Sequence, residues 1–490
     1  MEILNYYKLL IIFGIGLGIR LILVPFDIPI ANDGFDAFIY ASKLVQESQL
    51  PNGFNTGNTG WQYFLSIFFN NSNFDEPLNM MNIQRTLSTI ISASIVFPLY
   101  ILLRRFFEEK FALLGCILFI FEPRFLLSSL LGINYPFFIF LLLIALVSFL
   151  NNQKNIQVVV DKESGVYLGH PTTALLEDGK TILVVYPKGH GSGEIIYKRS
   201  SDGGKTWSNR LPVPENWSTS KEVPTIHRVI DKNGKKRLIV WSGLYPARLS
   251  ISEDDGISWS PLTKVGNWGG IVVMGTVIPL KNPGHYLGMF HDDGRYFTKN
   301  GKRTGIFTLY KTISKDGGLT WSHPKAIYSN SKIHLCEPGI IRSPDGKQLA
   351  MLLRENSRTR NSYIMFSDNE GELWSEPKEL PLELTGDRHT LKYTNNGKLF
   401  ISFRDMAKNS PSMGDWVAWV GSYDDLKNRD KGDYRILIKN NYDDWDSTYP
   451  GVELLPNGEI VTTTYGHWDK NEMPYILSVR INLDIINPIK

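Results

Sequence analysis

A chain of 490 residues is longer than one ordinary core and predicts at least two domains. The formal net charge of +3, without any Lys/Arg-rich run, argues against nucleic acid as a partner. The two cysteines, Cys116 and Cys336, do not make a disulfide framework and lack the spacing of a zinc site, so we expect no metal and no other cofactor.

The first 150 or so residues contain three long apolar stretches, at 9–25, 86–103 and 111–150, and none follows. Apolar runs of about 18 or more residues are typical of membrane spans. The last stretch is either one span or a hairpin that turns at 132–136, which gives three or four spans. We therefore expect a multi-pass integral membrane region over residues 1–155, with the lipid bilayer as a partner. With four spans, the positively charged residues that flank them place the rest of the chain on the cytoplasmic side of the membrane. With three spans, the rest of the chain is exported.

An acidic segment follows the first apolar stretch, and it reads ANDGFDAFIY over residues 31–40. An acidic residue at this place resembles the membrane-embedded glycosyltransferases that use lipid-phosphate sugars, the protein mannosyltransferase type. The resemblance implies that Asp33, or Asp36 as second choice, is a general base or a metal contact. The alternatives are a membrane anchor with a solvated acidic loop and a truncated or fused gene.

A short motif, Ser-x-Asp-x-Gly-x-x-Trp, recurs in the rest of the chain. Its copies occupy residues 200–207, 252–259, 314–321 and 367–374. The last copy has Asn369 in place of the central Asp, and a remnant stands at 422–424. In this motif Asp and Gly close a tight turn, while Trp packs between sheets. The motif resembles the Asp boxes of sialidase-like propellers, and this resemblance implies a structural role.

A second repeat counts the blades. Each unit has a polar or Pro-containing step, an apolar strand, a glycine turn and another apolar strand. The units begin near residues 170, 223, 275, 337, 388 and 449. Six such units predict an all-β, six-bladed β-propeller over 156–490, with four short antiparallel strands in each blade. The early strand at 157–160 is expected to complete the last blade and close the ring.

The first strands of all blades start near the propeller axis on one face, so residues at equivalent positions should converge there. The opening positions hold His170, Glu337, Arg388, His389 and Tyr449. The ends of the second strands supply Lys188, His291, Asp292, Asp293, Arg354, Glu355, Arg404, Asp405, Tyr465 and His467. Packing alone gives no reason for equivalent positions of a structural repeat to hold different charged residues. Their convergence therefore indicates a site for an anionic sugar.

Residues 156–490 resemble the sialidase family at these positions. Tyr449-Pro-Gly opens the last blade, where the family has its nucleophilic tyrosine, and Cys336-Glu337-Pro338 is similar to the step that carries the family's glutamate. The resemblance implies that Tyr449 attacks the sugar while Glu337 takes its proton, because a neutral nucleophile is not repelled by a sugar carboxylate.

The anion-binding residues follow from the same resemblance. Arg354 matches one arginine of the family's carboxylate-binding triad, and Arg388 or Arg404 could supply another. An arginine suits this role because its planar fork binds a carboxylate bidentately. His170, however, stands where the family has its first arginine, and residues 412–415 lack the third.

The family's acid/base aspartate is also missing, between Lys188 and Glu194. His190, Glu194 or Asp292 is left as the proton donor, in no fixed order. The sugar is therefore sialic acid, a related acidic sugar or a different glycan.

We predict a sialidase-like, retaining exo-glycoside hydrolase that releases a terminal acidic sugar from a glycan or glycoconjugate. Substrate-binding roles are expected of Arg354, Arg388, Arg404, His170, His389 and Asp405. Trp241, Trp268 and Trp416 are candidates for stacking on a sugar. The alternatives are a non-catalytic carbohydrate-binding propeller and an accessory propeller of a membrane glycosyltransferase.

Overall fold

The computed structural model describes residues 2–31, 33–48, 59–70, 74–104, 106–154, 157–298 and 301–483. The chain divides into two compact units, Met1–Lys154 and Asn155–Lys490. Each unit has its own hydrophobic clusters, and each is described by itself.

The described part of the first unit is helical. Its helices are α1 (Glu2–Leu23), α2 (Asp33–Glu47), α3 (Gly60–Phe69), α4 (Pro77–Ser94), α5 (Val96–Leu103), α6 (Glu109–Ile120), α7 (Pro123–Leu130) and α8 (Tyr135–Lys154). Within the described ranges, one helical stretch, Pro77–Leu103, is long and apolar enough to cross a membrane. Helices α6 and α7 meet the same test only as a pair, across a bend of 49°.

The prediction of three or four spans is therefore not supported, and neither is a multi-pass protein with the bilayer as its partner. The long apolar stretch at 111–150 is broken where Glu122 precedes Pro123. Proline has no N–H to continue α6, and the Glu122 side chain accepts a hydrogen bond from Phe125 N at 2.8 Å, which caps α7. A second break falls at residues 131–134, which overlaps the turn predicted at 132–136.

The second unit is a six-bladed β-propeller, as predicted. Blade 1 holds β2 (Thr172–Leu175), β3 (Ile182–Pro187) and β4 (Ile195–Ser200); blade 2 holds β5 (Thr225–Ile230), β6 (Lys236–Ser242), β7 (Arg248–Ser252) and β8 (Thr263–Lys264); blade 3 holds β9 (Ile271–Pro279), β10 (Tyr286–Asp292), β11 (Thr308–Ser314) and β12 (Lys325–Ser329). Blade 4 holds β13 (Leu335–Arg342), β14 (Leu349–Glu355), β15 (Tyr363–Ser367) and β16 (Lys378–Glu379); blade 5 holds β17 (Gly386–Tyr393), β18 (Leu399–Asp405), β19 (Trp416–Gly421) and β20 (Tyr434–Lys439); blade 6 holds β21 (Gly451–Leu454), β22 (Ile460–Gly466), β23 (Tyr475–Ile481) and β1 (Gln157–Asp161).

The ring closes through the earliest strand of the unit. Strand β1 pairs antiparallel with β23, with Val158 opposite Ser478, so the two ends of the unit share blade 6. The first strand of each blade is innermost and contacts the first strands of its neighbours, including β2 with β21. The sheet of blade 1 has three strands rather than the predicted four.

The Asp boxes are turns that follow the third strands of blades 1 to 4. In the first box the Asp202 carboxylate accepts from Lys205 N at 3.0 Å and Thr206 N at 2.9 Å, and Ser200 Oγ accepts from Gly204 N at 2.8 Å. The Ser-to-Gly bond recurs in the other three boxes. At the remnant, 422–424, Ser422 instead caps the short helix α9 (Tyr423–Asn428).

The box tryptophans join adjacent blades. Trp321 of blade 3 packs against Trp241 of blade 2 with ring centroids 5.3 Å apart, and it donates from Nε1 to Gly318 O at 2.9 Å. Such contacts fix the stagger between sheets and thereby the spacing of the inner strands around the axis.

Candidate functional site

The entrances of five inner strands carry a non-glycine residue in the left-handed backbone conformation. His170, Glu337, Arg388 and Thr448 have φ of 53°, 52°, 55° and 58°, and Val272 of blade 3 has φ of 48°. At Glu337 and Arg388 the register of the strand pair also shifts, as in a β-bulge. A side chain seldom adopts this conformation without a compensating gain, and bulges re-aim side chains at functional sites. His170, Glu337 and Arg388 are predicted opening positions of the repeat, and Thr448 directly precedes the predicted Tyr449.

Tyr449, Glu337 and Arg354 lie in direct contact. The Tyr449 hydroxyl donates a short hydrogen bond to Glu337 Oε1. Arg354 Nη1 donates to the same carboxylate oxygen at 2.8 Å and lies 3.4 Å from Tyr449 Oη. Both Tyr449 and Glu337 are buried, and 112 residues of chain separate them. Blades 4 and 6 thus bring together the three residues that the resemblance to sialidases singles out.

The ionisation of this group is set by its mutual contacts. Burial and the Glu337 charge raise the pKa of Tyr449 well above its ordinary value, so the free site holds a neutral phenol. Burial on its own would raise the pKa of Glu337, but the Arg354 charge and the Tyr449 hydrogen bond outweigh it and lower that pKa. A protonated phenol beside an ionised carboxylate is the state that a base-assisted tyrosine nucleophile requires.

Asp387 is a carboxylate that the sequence did not single out. It accepts from Arg404 Nε at 3.0 Å and from Arg358 Nη2 at 2.8 Å, and it lies 3.2 Å from Arg354 Nε. Burial opposes its ionisation, but the three guanidiniums prevail and lower its pKa. Its sequence signal was its position directly before Arg388, at the entrance of an inner strand.

Arg404 is occupied by protein partners. Its Nε and Nη2 donate to Asp387, and its Nη1 donates to the carbonyl oxygens of Trp445 and Ser447, the latter at 2.7 Å. Because these bonds use most of its five N–H groups, Arg404 holds the loop before Tyr449 and has little left to offer a ligand.

Arg388 differs from the other arginines of the site. It is 6 % exposed, and its guanidinium carbon lies 6.0 Å from the centroid of the Tyr449 ring. Within the described residues, its guanidinium has neither a hydrogen bond nor an ion pair. Burial lowers its pKa, with Glu337 acting in the opposite direction. A buried cation without a partner is costly, and a bound anion would relieve that cost.

A second polar cluster borders Tyr449. The ring centroid of His170 lies 4.6 Å from that of Tyr449 and 5.0 Å from that of His190. Tyr167 donates to Asp446 at 2.7 Å, so it accepts from Nδ1 of His190, also at 2.7 Å. This assignment leaves Nε2 of His190 for another partner.

Other predicted residues serve the local structure. Asp292 accepts from the backbone N–H groups of Gly294, Tyr296 and Phe297, which shapes a turn. His389 bonds Leu384 O through Nε2, and Asp405 accepts from Ser410, Ser412 and Ala407 N. Glu194 is exposed on the loop after β3. The side-chain atoms of His389 and Asp405 that make these hydrogen bonds are not available to a ligand.

The predicted sugar-stacking tryptophans are all buried in blade packing, namely Trp241, Trp268 and Trp416. In the first unit, Asp33 and Asp36 are exposed in the first turn of α2. Across the described residues, no cluster of three or more His, Cys, Asp and Glu side chains is arranged to hold a metal ion.

Glu222 is a further group that the sequence did not single out. It lies just before β5, is buried, and accepts from Val223 N at 2.9 Å. Burial raises its pKa to about 7, and both Arg388 and Glu337 are close enough to interact with it electrostatically. Its sequence signal is its position directly before the start of the blade 2 repeat near residue 223.

Residues 238–410 match the family of BNR repeat-like domains. No curated protein matches the chain. Among solved structures, a protein of unknown function from Dyadobacter fermentans is 14 % identical, with 66 % of this chain and 97 % of that chain covered and a TM-score of 0.53. The intramolecular trans-sialidase from Ruminococcus gnavus, solved with oseltamivir carboxylate, is 14 % identical, with 66 % and 96 % covered and a TM-score of 0.47. A Hadza microbial sialidase is 16 % identical, with 66 % of each chain covered and a TM-score of 0.49.

At 14 % identity the likeness to the Dyadobacter fermentans protein shows the fold alone. The BNR repeat-like match and the Asp-box turns make the propeller sialidase-like in fold. The family match does not reach the first unit, and the predicted resemblance of that unit to a glycosyltransferase is not shown.

Proposed function

We propose that the propeller is a sialidase-like exo-glycoside hydrolase with Tyr449 as its nucleophile. The observation that carries the proposal is the buried hydrogen bond from the Tyr449 hydroxyl to Glu337, with Arg354 beside both. A purely structural pair would gain nothing from two strained strand entrances on different blades.

The reaction would proceed in two steps. In the first, Tyr449 Oη attacks the anomeric carbon, Glu337 takes the phenolic proton, and the bond to the leaving oxygen breaks as that oxygen is protonated. In the second, water attacks the anomeric carbon of the glycosyl-tyrosine and gives its proton to the group that protonated the leaving oxygen, while the phenol leaves with the proton back from Glu337. Two inversions give net retention. Arg354, 3.4 Å from Tyr449 Oη, stabilises the charge that develops on the phenolic oxygen.

Charge favours an acidic terminal sugar. Within the described part of the propeller, Arg388 is a buried cation without an ion pair, and it lies beside the Tyr449 ring. We assign it, with the remaining face of Arg354, to the carboxylate of the sugar. Arg404 then positions the loop instead of binding the anion. An anionic substrate also explains why the nucleophile is a neutral phenol rather than a carboxylate.

The proton donor is assigned to His190. Its Nδ1 is held by Tyr167, its carboxylate neighbour Asp446 lies 3.6 Å away, and the side chain is 63 % exposed, so Nε2 is open to a bound glycoside. Asp446 would stabilise the protonated ring before it donates. Glu194 lies on the same loop but lacks such a partner for its carboxylate among the described residues.

The test measures whether the full-length protein hydrolyses aryl glycosides. The substrates carry sialic acid, other ulosonic acids, uronic acids or neutral sugars. Release of the sugar from one class of acidic glycoside would support the proposal if Tyr449→Phe abolishes it. Tyr475→Phe is a matched control away from the site. Glycan binding without release from any substrate would contradict it and favour a carbohydrate-binding propeller. If activity instead depends on Asp33, the propeller is an accessory to a glycosyltransferase.

A further inference from the structure

An exposed tryptophan stands at the edge of the site. Trp445 lies four residues before Tyr449 on the loop that leads into blade 6, and it is 55 % exposed. The other tryptophans weighed for sugar binding are buried between blades. Tryptophan is enriched at binding surfaces, where its ring can bury a large apolar area against a partner.

The ring is held in place from the protein side. The guanidinium carbons of Arg358 and Arg404 lie 5.8 and 5.9 Å from its centroid, within the range of cation–π contacts. Both arginines are themselves fixed by Asp387. The Trp445 carbonyl also accepts from Arg404. The indole is therefore a preorganised platform rather than a freely moving surface side chain.

The same guanidinium links this platform to the nucleophile. Arg404 lies 5.9 Å from the centroid of the Tyr449 ring as well as from that of Trp445. Tyr449, Glu337 and Arg388 are buried, whereas Trp445 is exposed. In an exo-acting enzyme the terminal sugar occupies the buried part of the site, and only the leaving group extends towards solvent. The exposed ring therefore lies where the leaving group would pass.

We propose that Trp445 forms the aglycone subsite, where its ring stacks on the apolar face of the sugar that carries the leaving oxygen. This inference rests on the proposed hydrolase function and narrows its substrate class. The substrate is a terminal acidic sugar linked to a second pyranose, as in an oligosaccharide or glycoconjugate, rather than to a small alcohol.

The test compares two substrates that share the terminal sugar, one linked to a pyranose and the other to methanol. In the full-length protein, Trp445→Ala should lower kcat/KM for the disaccharide about 5- to 10-fold, the usual range for an aromatic contact. The methyl glycoside should change less than about twofold, because it has no ring to stack. Trp445→Phe should restore most of the loss. Tyr442→Ala, which removes a 63 % exposed ring from the same segment, should change neither substrate.

Two results would overturn the inference. An equal loss on both substrates would show that Trp445 acts by holding Arg404, and no loss on either would show that its ring is not used. If the wild type cleaves neither substrate, the hydrolase proposal itself has failed. The subsite is then judged by binding of the disaccharide and of its terminal monosaccharide, and equal effects of Trp445→Ala on both affinities would overturn it as well.

Discussion

Replacement of Asp387 by Asn tests whether the arginines around the site depend on one carboxylate. Asn has nearly the same shape, so the change removes the charge with little effect on packing. Arg404 is then left 4 % exposed at its side chain with no counter-charge, and Arg354 and Arg358 each lose an ionic contact. Leaving a buried charge uncompensated costs about 3–5 kcal/mol. We expect Asp387→Asn to lower the free energy of unfolding of the propeller by about that amount.

The measurement is urea unfolding followed by tryptophan fluorescence, because 11 of the 12 tryptophans of the chain lie in the propeller. Asp293→Asn is the matched control. Asp293 also accepts from two arginines, Arg295 and Arg303, but their side chains are 40 % and 61 % exposed, and water can replace the lost partner. Asp293→Asn should therefore lower the free energy of unfolding by less than about 1 kcal/mol. Equal losses in the two variants would refute the claim that burial makes Asp387 essential.

Three further predictions follow from single contacts. Glu337→Gln should lower kcat at least about 100-fold, since the Tyr449 proton loses its acceptor, and wild-type turnover would contradict the assigned base. Burial raises the pKa of Glu222 to about 7 in the folded protein. The side chain's favourable contribution to the free energy of unfolding is therefore fully present below the unfolded-state pKa of about 4.3 and is lost as the pH rises through about 7. The wild type should thus lose stability relative to Glu222→Gln between about pH 5 and 8, and a constant difference in urea midpoint would count against this. Ser314→Ala removes the acceptor of Gly318 N, 2.9 Å away in an Asp box, and should cost about 1–2 kcal/mol in the same assay; no change would show that the turn does not need it.

The propeller could be predicted because its signals are local and repeated. An Asp box is closed by bonds within five residues, as from Ser200 to Gly204, so each copy carries its own evidence. The pairing of β1 with β23 followed from the count of strands, although 300 residues or more separate them. The contact of Tyr449 with Glu337 was predictable for the same reason, since equivalent repeat positions must meet at the axis.

The rest depended on details that a repeat does not specify. Arg388 opens an inner strand and Arg404 ends a second strand, and the sequence predicted both to lie near the axis. Asp387 nevertheless bonds Arg404 and not Arg388, and only the side-chain geometry decides between them. In the first unit, hydropathy averaged over 111–150 concealed the effect of Glu122 and Pro123, which end one helix and begin another. Composition alone therefore predicted more spans than the described residues support.

The arginines of the site divide into two groups with different tasks. Glu337 and Asp387 supply two negative charges to Arg354, Arg358 and Arg404, which are bonded to them and to the loop before Tyr449. Arg388 is added to this set without an ion pair, and burial raises the pKa of the nearby Glu222 to about 7, so the inner end of the site carries an excess of positive charge. In a poorly solvated pocket that excess favours one anionic group, held beside the Tyr449 ring. It follows that Arg388→Gln should lower the turnover of an acidic substrate far more than that of a neutral glycoside. Arg404→Gln should lower the turnover of both, because it releases the loop on which Tyr449 depends.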